Sequence, residues 1–227
     1  MPIRSVLIGI VPHTRGMSAT VKIVVGAVVA GIVGVAGFYF MQKNEPRKEC
    51  SAVLPAPVIV AFGDSLIRGE GATTPGGFVS MLSKQTGVRI TNLGESGNTT
   101  SAGLLRIDDV LQLQPSIVLV LLGGNDALRK VPQDQTEKNL DTIITRLEKE
   151  HVHVILLGVP GAYPFADPYA DMFTNLSTSH NISFVPNVLS GIIGHPSLMS
   201  DVVHPNEAGY QMIADRVYPI LTKVCAL

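Results

Sequence analysis

Charge is scarce in this sequence and nearly balanced: 17 Lys and Arg stand against 18 Asp and Glu in 227 residues, a formal net charge of -1. With no basic stripe or block there is no field to gather a polyanion, so nucleic acid is not an expected partner. Cysteine is almost absent. The two present, Cys50 and Cys225, lack C-x-x-C spacing, which removes the zinc ribbon and the thioredoxin-like redox site. No G-x-S-x-G elbow, Walker loop or Rossmann fingerprint occurs. Internal repeats and low-complexity tracts are missing as well. What remains, 46% apolar residues, is ample for a substantial core.

Part of that apolar excess is concentrated near the start. Residues 1–22 show no usable pattern, but Ile23 to Met41, "IVVGAVVAGIVGVAGFYFM", has no charge and is long enough to cross a bilayer as a helix. A membrane anchor is the favoured reading over a cleaved secretion signal. Small residues at Gly34-Val35-Ala36 suit a cleavage site, yet the apolar run continues through Phe38-Tyr39-Phe40. Basic residues on the two flanks balance, so the positive-inside rule does not orient the segment. Residues 42–56 are charged and then proline-bearing, a linker, and residues 57–227 form the domain. Cys50 and Cys225 flank that domain, whose termini are often neighbours; they could pair in an oxidising compartment, while as cytosolic thiols they carry no meaning.

Within the domain, short Val- and Ile-rich runs alternate with amphipathic stretches. Val58–Phe62, Val88–Asn92, Ile117–Leu122, Val152–Gly158 and Ile182–Val185 are expected strands. Gly76–Gln85, Ser101–Leu113, Gln133–Glu150, Asp167–His180 and Asn206–Val224 are expected helices, the third opening on Asp134 with Glu137 at capping-box spacing. This β-α-β-α order predicts an α/β fold, a mainly parallel five-stranded sheet covered by helices on both faces. In such sheets the ligand crevice lies at the carboxyl ends of the strands. Polar residues gather there: Gly63-Asp64-Ser65, then Gly94 to Asn98, then Gly123-Gly124-Asn125-Asp126.

A serine hydroxyl needs a base to take its proton, usually a histidine oriented by a third group. Ser65 has such a couple available in "SDVVHPNEAGY", where Asp201 precedes His204 by three residues. Asp201 would accept the Nδ1 proton and leave Nε2 to face Ser65. Acyl transfer also builds negative charge on the carbonyl oxygen, and the backbone N–H groups of Ser65 and Gly97 with the side-chain amide of Asn125 are the candidate donors. Each motif alone has a bland reading as a turn or helix start. Together they supply every part the chemistry requires.

"GDSL" at 63–66, "NLGESGNTT" at 92–100, "GGND" at 123–126 and "DVVH" at 201–204 resemble the four blocks of the SGNH (GDSL) hydrolases, closest to the bacterial arylesterase, thioesterase I and lysophospholipase group. The resemblance covers the domain but not residues 1–50. It implies a three-layer, flavodoxin-like α/β/α sandwich and hydrolysis of carboxylic esters or thioesters with no metal or organic cofactor. Carried over, Ser65 matches the nucleophile, His204 the base, Asp201 its partner, and Gly97 and Asn125 the oxyanion residues, with Gly94 a competing match for the glycine.

His195-Pro196 nearly repeats His204-Pro205, but no carboxylate lies three residues before it. His151 and His153 would share a strand face as a metal pair would, without a third ligand in view. Leu104, Tyr163 to Phe165 and Ile192 to Met199 are candidate acyl-pocket residues. A small-molecule acyl ester or thioester is the expected partner, besides the membrane. The alternatives are a carbohydrate O-acetyl esterase and a non-catalytic envelope binding module. The anchor puts the domain in the periplasm or outside the cell, or free after cleavage of a signal.

Overall fold

In the computed structural model the described residues are 56–161 and 168–225. The first unit of chain, β1 (Ile59–Gly63), runs into a one-turn helix α1 (Ser65–Arg68) and then α2 (Gly77–Thr86). β2 (Ile90–Gly94) is followed by α3 (Thr100–Leu105) and α4 (Ile107–Leu111). β3 (Ile117–Leu121) leads to α5 (Gly124–Leu128) and α6 (Gln133–Lys149). Then come β4 (His153–Leu157), α7 (Pro168–Ser179), β5 (Ser183–Val185), a 3-10 turn (Pro196–Leu198) and α8 (Glu207–Cys225). The sheet order is β2-β1-β3-β4-β5 and every pairing is parallel.

The central strands are apolar because water reaches neither face of them: every residue of β1 and β3 is buried. α2 packs on α8, with Phe78 stacked on Tyr210 at 6.3 Å, and α3 packs on α6. The expected strands fall within a residue or two of the observed ones. Gly63 ends β1 where a Cβ would sit 2.1 Å from the Leu121 carbonyl oxygen, so the neighbouring strand itself demands glycine.

Three local expectations need correction. The stretch expected as one helix over 101–113 is broken at Arg106, whose guanidinium turns back to donate to the Gly63 and Leu93 carbonyls at 3.0 Å each and lies 4.8 Å over the Phe62 ring. α6 starts at Gln133 behind Pro132 with no side-chain cap, so Asp134 stands in the first turn, facing the helix dipole, instead of closing a capping box. His151 is not on a strand face; it is an exposed turn residue with φ of 59°.

Among the described residues no helix is long and apolar enough to cross a membrane. The Ile23–Met41 segment, the linker over 42–55 and Tyr163 to Phe165 lie outside the described residues. Cys225, buried at the end of α8, is disulfide-bonded. The sequence holds one other cysteine, Cys50, also outside the described residues.

Candidate active site

Ser65 is the first residue of α1, immediately past the carboxyl end of β1, and is only 9% exposed. Asp64 caps the helix through Oδ1, which accepts the Leu66 N–H at 2.9 Å. Its Oδ2 accepts the Asn125 side-chain amide at 3.2 Å, tying α1 to the start of α5. Burial pushes the Asp64 carboxyl up to about 7, against the Leu66 and Asn125 hydrogen bonds and the nearby His204, which pull it down. Next to Asn125, fully buried Asp126 accepts the Thr100 N–H at 2.8 Å and the Thr100 hydroxyl at 2.6 Å. Both acids brace loops.

The loop before α8 is tied mainly to itself. Asp201 Oδ1 accepts the Val203 and His204 N–H groups at 2.8 Å each, while Oδ2 lies 2.8 Å from His204 Nδ1. The His204 carbonyl accepts the Ser200 N–H at 2.9 Å. Asn206 secures the base of the loop: its amide donates to the Ser197 carbonyl at 2.9 Å and its Oδ1 accepts the Ala208 N–H at 3.0 Å, starting the helix. The hydrogen bond with His204, then that from Val203 N–H, holds the Asp201 carboxyl down to about 2. His204 Nε2 then faces Ser65 Oγ at 3.0 Å. With Asp201 ionised, Nδ1 carries the proton and Nε2 is free to accept one.

The three expected oxyanion donors, Ser65, Gly97 and Asn125, line one open cleft of about 1210 Å³ with Asp201 and His204. Gly97 has φ of 75° and its carbonyl accepts Arg129 Nη2 at 2.9 Å. Gly94 does not line this cleft; a Cβ there would sit 2.2 Å from the Arg68 nitrogen, so its requirement for glycine is a matter of packing. Asn125 has two amide N–H bonds, and Asp64 takes only one. The cleft wall is otherwise largely apolar, with Leu66, Leu128, Val159, Leu189, Ile193 and Met199. Leu104, expected there, packs against the core instead. His195 is exposed and outside the lining.

Two further acids, marked by no motif in the sequence, hold positions in and behind the site. Glu70 lines the cleft and puts Oε2 3.5 Å from His204 Nε2. Glu207 reaches from α8 to accept the N–H groups of Thr73 at 3.0 Å and Thr74 at 2.9 Å, closing the loop behind α1. The only local signal for Glu70 was its place between Gly69 and Gly71 directly after "GDSLIR". Among the described residues no group of three or more His, Cys, Asp or Glu is arranged to hold a metal ion.

Comparison with known proteins matches this geometry to a family. The GDSL-like Lipase/Acylhydrolase family model matches residues 61–212, more than half of the chain. Esterase TesA of Pseudomonas aeruginosa is 29% identical over 177 residues, which cover 73% of this chain and 88% of that protein. Thioesterase 1/protease 1/lysophospholipase L1 of Escherichia coli K12 is 29% identical over 168 residues, covering 70% and 81%. The crystal structure of TesA superposes with a TM-score of 0.68 at 28% identity, over 74% of this chain and 99% of that one. The psychrotrophic esterase EstA from Pseudoalteromonas sp., in a structure inhibited by monoethylphosphonate, gives 0.66 at 27% identity, over 74% and 97%. With all four sequence blocks inside the matched span, the chain belongs to the GDSL-like lipase/acylhydrolase family and is a serine ester hydrolase.

Proposed function

We propose that the protein hydrolyses carboxylic esters or thioesters with apolar acyl groups through an acyl-enzyme on Ser65. The observation that carries this reading is the linear set Asp201, His204, Ser65, joined at 2.8 Å and 3.0 Å. Ser65 Oγ attacks the acyl carbon as its proton passes to His204 Nε2. The oxyanion is met by the Ser65 and Gly97 N–H groups and the Asn125 amide, donors already in place before charge develops. As the bond from acyl carbon to leaving oxygen or sulfur breaks, Nε2 returns the proton to the leaving atom. A water then attacks the acyl-enzyme, gives a proton to Nε2, and Ser65 regains it when the acid departs. Aliphatic side chains on the cleft wall favour an acyl chain over a sugar as the group bound there. The names carried by the relatives, esterase and thioesterase 1/lysophospholipase L1, support the same substrate range.

Changing Ser65→Ala should abolish hydrolysis of p-nitrophenyl butyrate and labelling by a fluorophosphonate probe, with the unfolding transition retained. Turnover by that variant would refute the assignment. An activity profile across acyl esters, acyl-CoA and lysophospholipid defines the acyl and leaving groups accepted.

We further propose that Ile23–Met41 tethers the domain to a membrane with the domain in an oxidising compartment, the charge-free run and the disulfide-bonded Cys225 supporting this location. Protease accessibility in spheroplasts and the N-terminal mass of the mature protein test tether against cleaved signal.

A further inference from the structure

Glu70 has no part in the steps above, yet its Oε2 lies 3.5 Å from His204 Nε2, the nitrogen that holds the Ser65 hydroxyl at 3.0 Å. Its backbone is held from both sides. The Glu70 N–H donates to the Ser65 carbonyl at 3.1 Å and the Glu70 carbonyl accepts the Tyr210 hydroxyl at 2.7 Å. Gly69 and Gly71 on either side have φ of 88° and 90°, where an added Cβ would meet the Gly77 nitrogen at 2.3 Å and Ser200 Oγ at 2.1 Å. Only glycine takes such positions without strain. The side chain is fixed as well, because Oε1 accepts the hydroxyl of Ser96, the residue before Gly97. Arg68 approaches Oε1 at 4.0 Å but is 61% exposed, and a pair of that kind neutralises little.

In the proposed reaction Nε2 hands its proton to the leaving atom, which must therefore come within about 3.2 Å of that nitrogen. Two atoms this close to one nitrogen are close to each other, so the leaving atom lies no more than about 7 Å from Glu70 Oε2. A charge carried a few bonds out on the leaving group is then within range of a fixed negative charge. Among the described residues Lys130 is the one Lys or Arg on the cleft wall, and the ion-pair partners of Glu70 are Arg68 and His204 instead.

We propose that Glu70 is a specificity-determining residue for the leaving group, selecting esters whose alcohol portion carries an ammonium over neutral ones, and neutral ones over those bearing a carboxylate or sulfonate. The inference rests on the esterase reading above and adds to it the charge of the leaving group. Glu70 is partly exposed, so solvent screens the effect to about tenfold per unit of leaving-group charge.

The test is steady-state kinetics on three butyrate esters that differ only in the alcohol: choline, its uncharged isostere 3,3-dimethylbutanol, and 3-hydroxypropanesulfonate. The expected order of kcat/KM is choline, dimethylbutyl, sulfopropyl, spanning about a hundredfold at low salt. Glu70→Gln should bring the choline-to-sulfopropyl ratio close to one, and Ser96→Ala, which frees the carboxylate, should reduce it. In the unaltered protein the ratio should shrink as NaCl rises from about 20 to about 500 mM, a readout that needs no variant. Equal kcat/KM for the three esters in the unaltered protein, or the full ratio kept by Glu70→Gln, overturns the inference while leaving the esterase reading intact. No turnover of the neutral ester overturns both.

Discussion

Ser65 and His204 meet across 3.0 Å but come from two unlike regions. The nucleophile side is core: Asp64 is 2% exposed and Asp126 fully buried, and their hydrogen bonds link the ends of β1 and β3 to α3. The base side is a surface loop whose Asp201 side chain is 52% exposed and whose order comes from bonds within residues 200–204. The two aspartates record the difference. Desolvation raises the Asp64 carboxyl to about 7, whereas hydrogen bonds hold the Asp201 carboxyl down to about 2. One cleft thus contains an acid whose hydrogen bonds tie loops together and another hydrogen-bonded to the imidazole.

Among perturbations that leave Ser65 in place, breaking the base side should have the largest effect on turnover. Asp201→Asn offers His204 an amide in place of the Nδ1–H acceptor, so the wrong tautomer faces Ser65 and kcat for p-nitrophenyl butyrate should fall by about 10⁴. Because the loop is exposed, the same substitution should change unfolding free energy in urea by less than about 1 kcal/mol. On the nucleophile side, Asn125→Ala removes one oxyanion donor and should lower kcat by about 10²–10³ with little change in KM.

The third perturbation sharpens the electrostatic contrast. The folded protein keeps the Asp64 proton up to about pH 7, while the unfolded chain releases it near 3.8. The stability contributed by this group is therefore complete below about pH 4 and lost as pH rises toward 7. Asp64→Asn should remove that slope, changing the variant-minus-parent difference in unfolding free energy by a few kcal/mol between about pH 4.5 and 7.5. The smallest effect belongs to a site remote from the cleft. Burial lowers the His180 imidazole, but Asp141 and Glu148, on its two nitrogens at 2.9 Å and 2.8 Å, outweigh this and raise it above 6.5. That stability is full below pH 6.5 and disappears as pH rises through the higher folded value. His180→Gln should erase a step of less than about 1 kcal/mol, kcat remaining as it was.

Much of this arrangement was readable along the chain. Val and Ile runs that end in glycine and polar residues locate the strands, and each of the four blocks sits where the chain leaves one strand or enters the last helix. The helices α1 and α5 were not readable, since one turn is too short for an amphipathic period. The break at Arg106 depends on carbonyls of β1 and β2 that no helical pattern in 101–113 encodes. Glu70 and Glu207 escaped for the same reason. Their significance comes from His204 and from Thr73 and Thr74, which lie more than a hundred residues away along the chain.

By itself the sequence determined the order of the strands and the longer helices, the candidates for nucleophile, base and acid, and the local Asp201–His204 couple, because periodicity and short spacing are properties of neighbouring residues. Only the tertiary structure decided which glycine borders the cleft, that Asp64 is desolvated, and that a second carboxylate stands beside the imidazole. Those outcomes depend on distance and burial, and both arise only when strand ends far apart along the chain are brought to one rim.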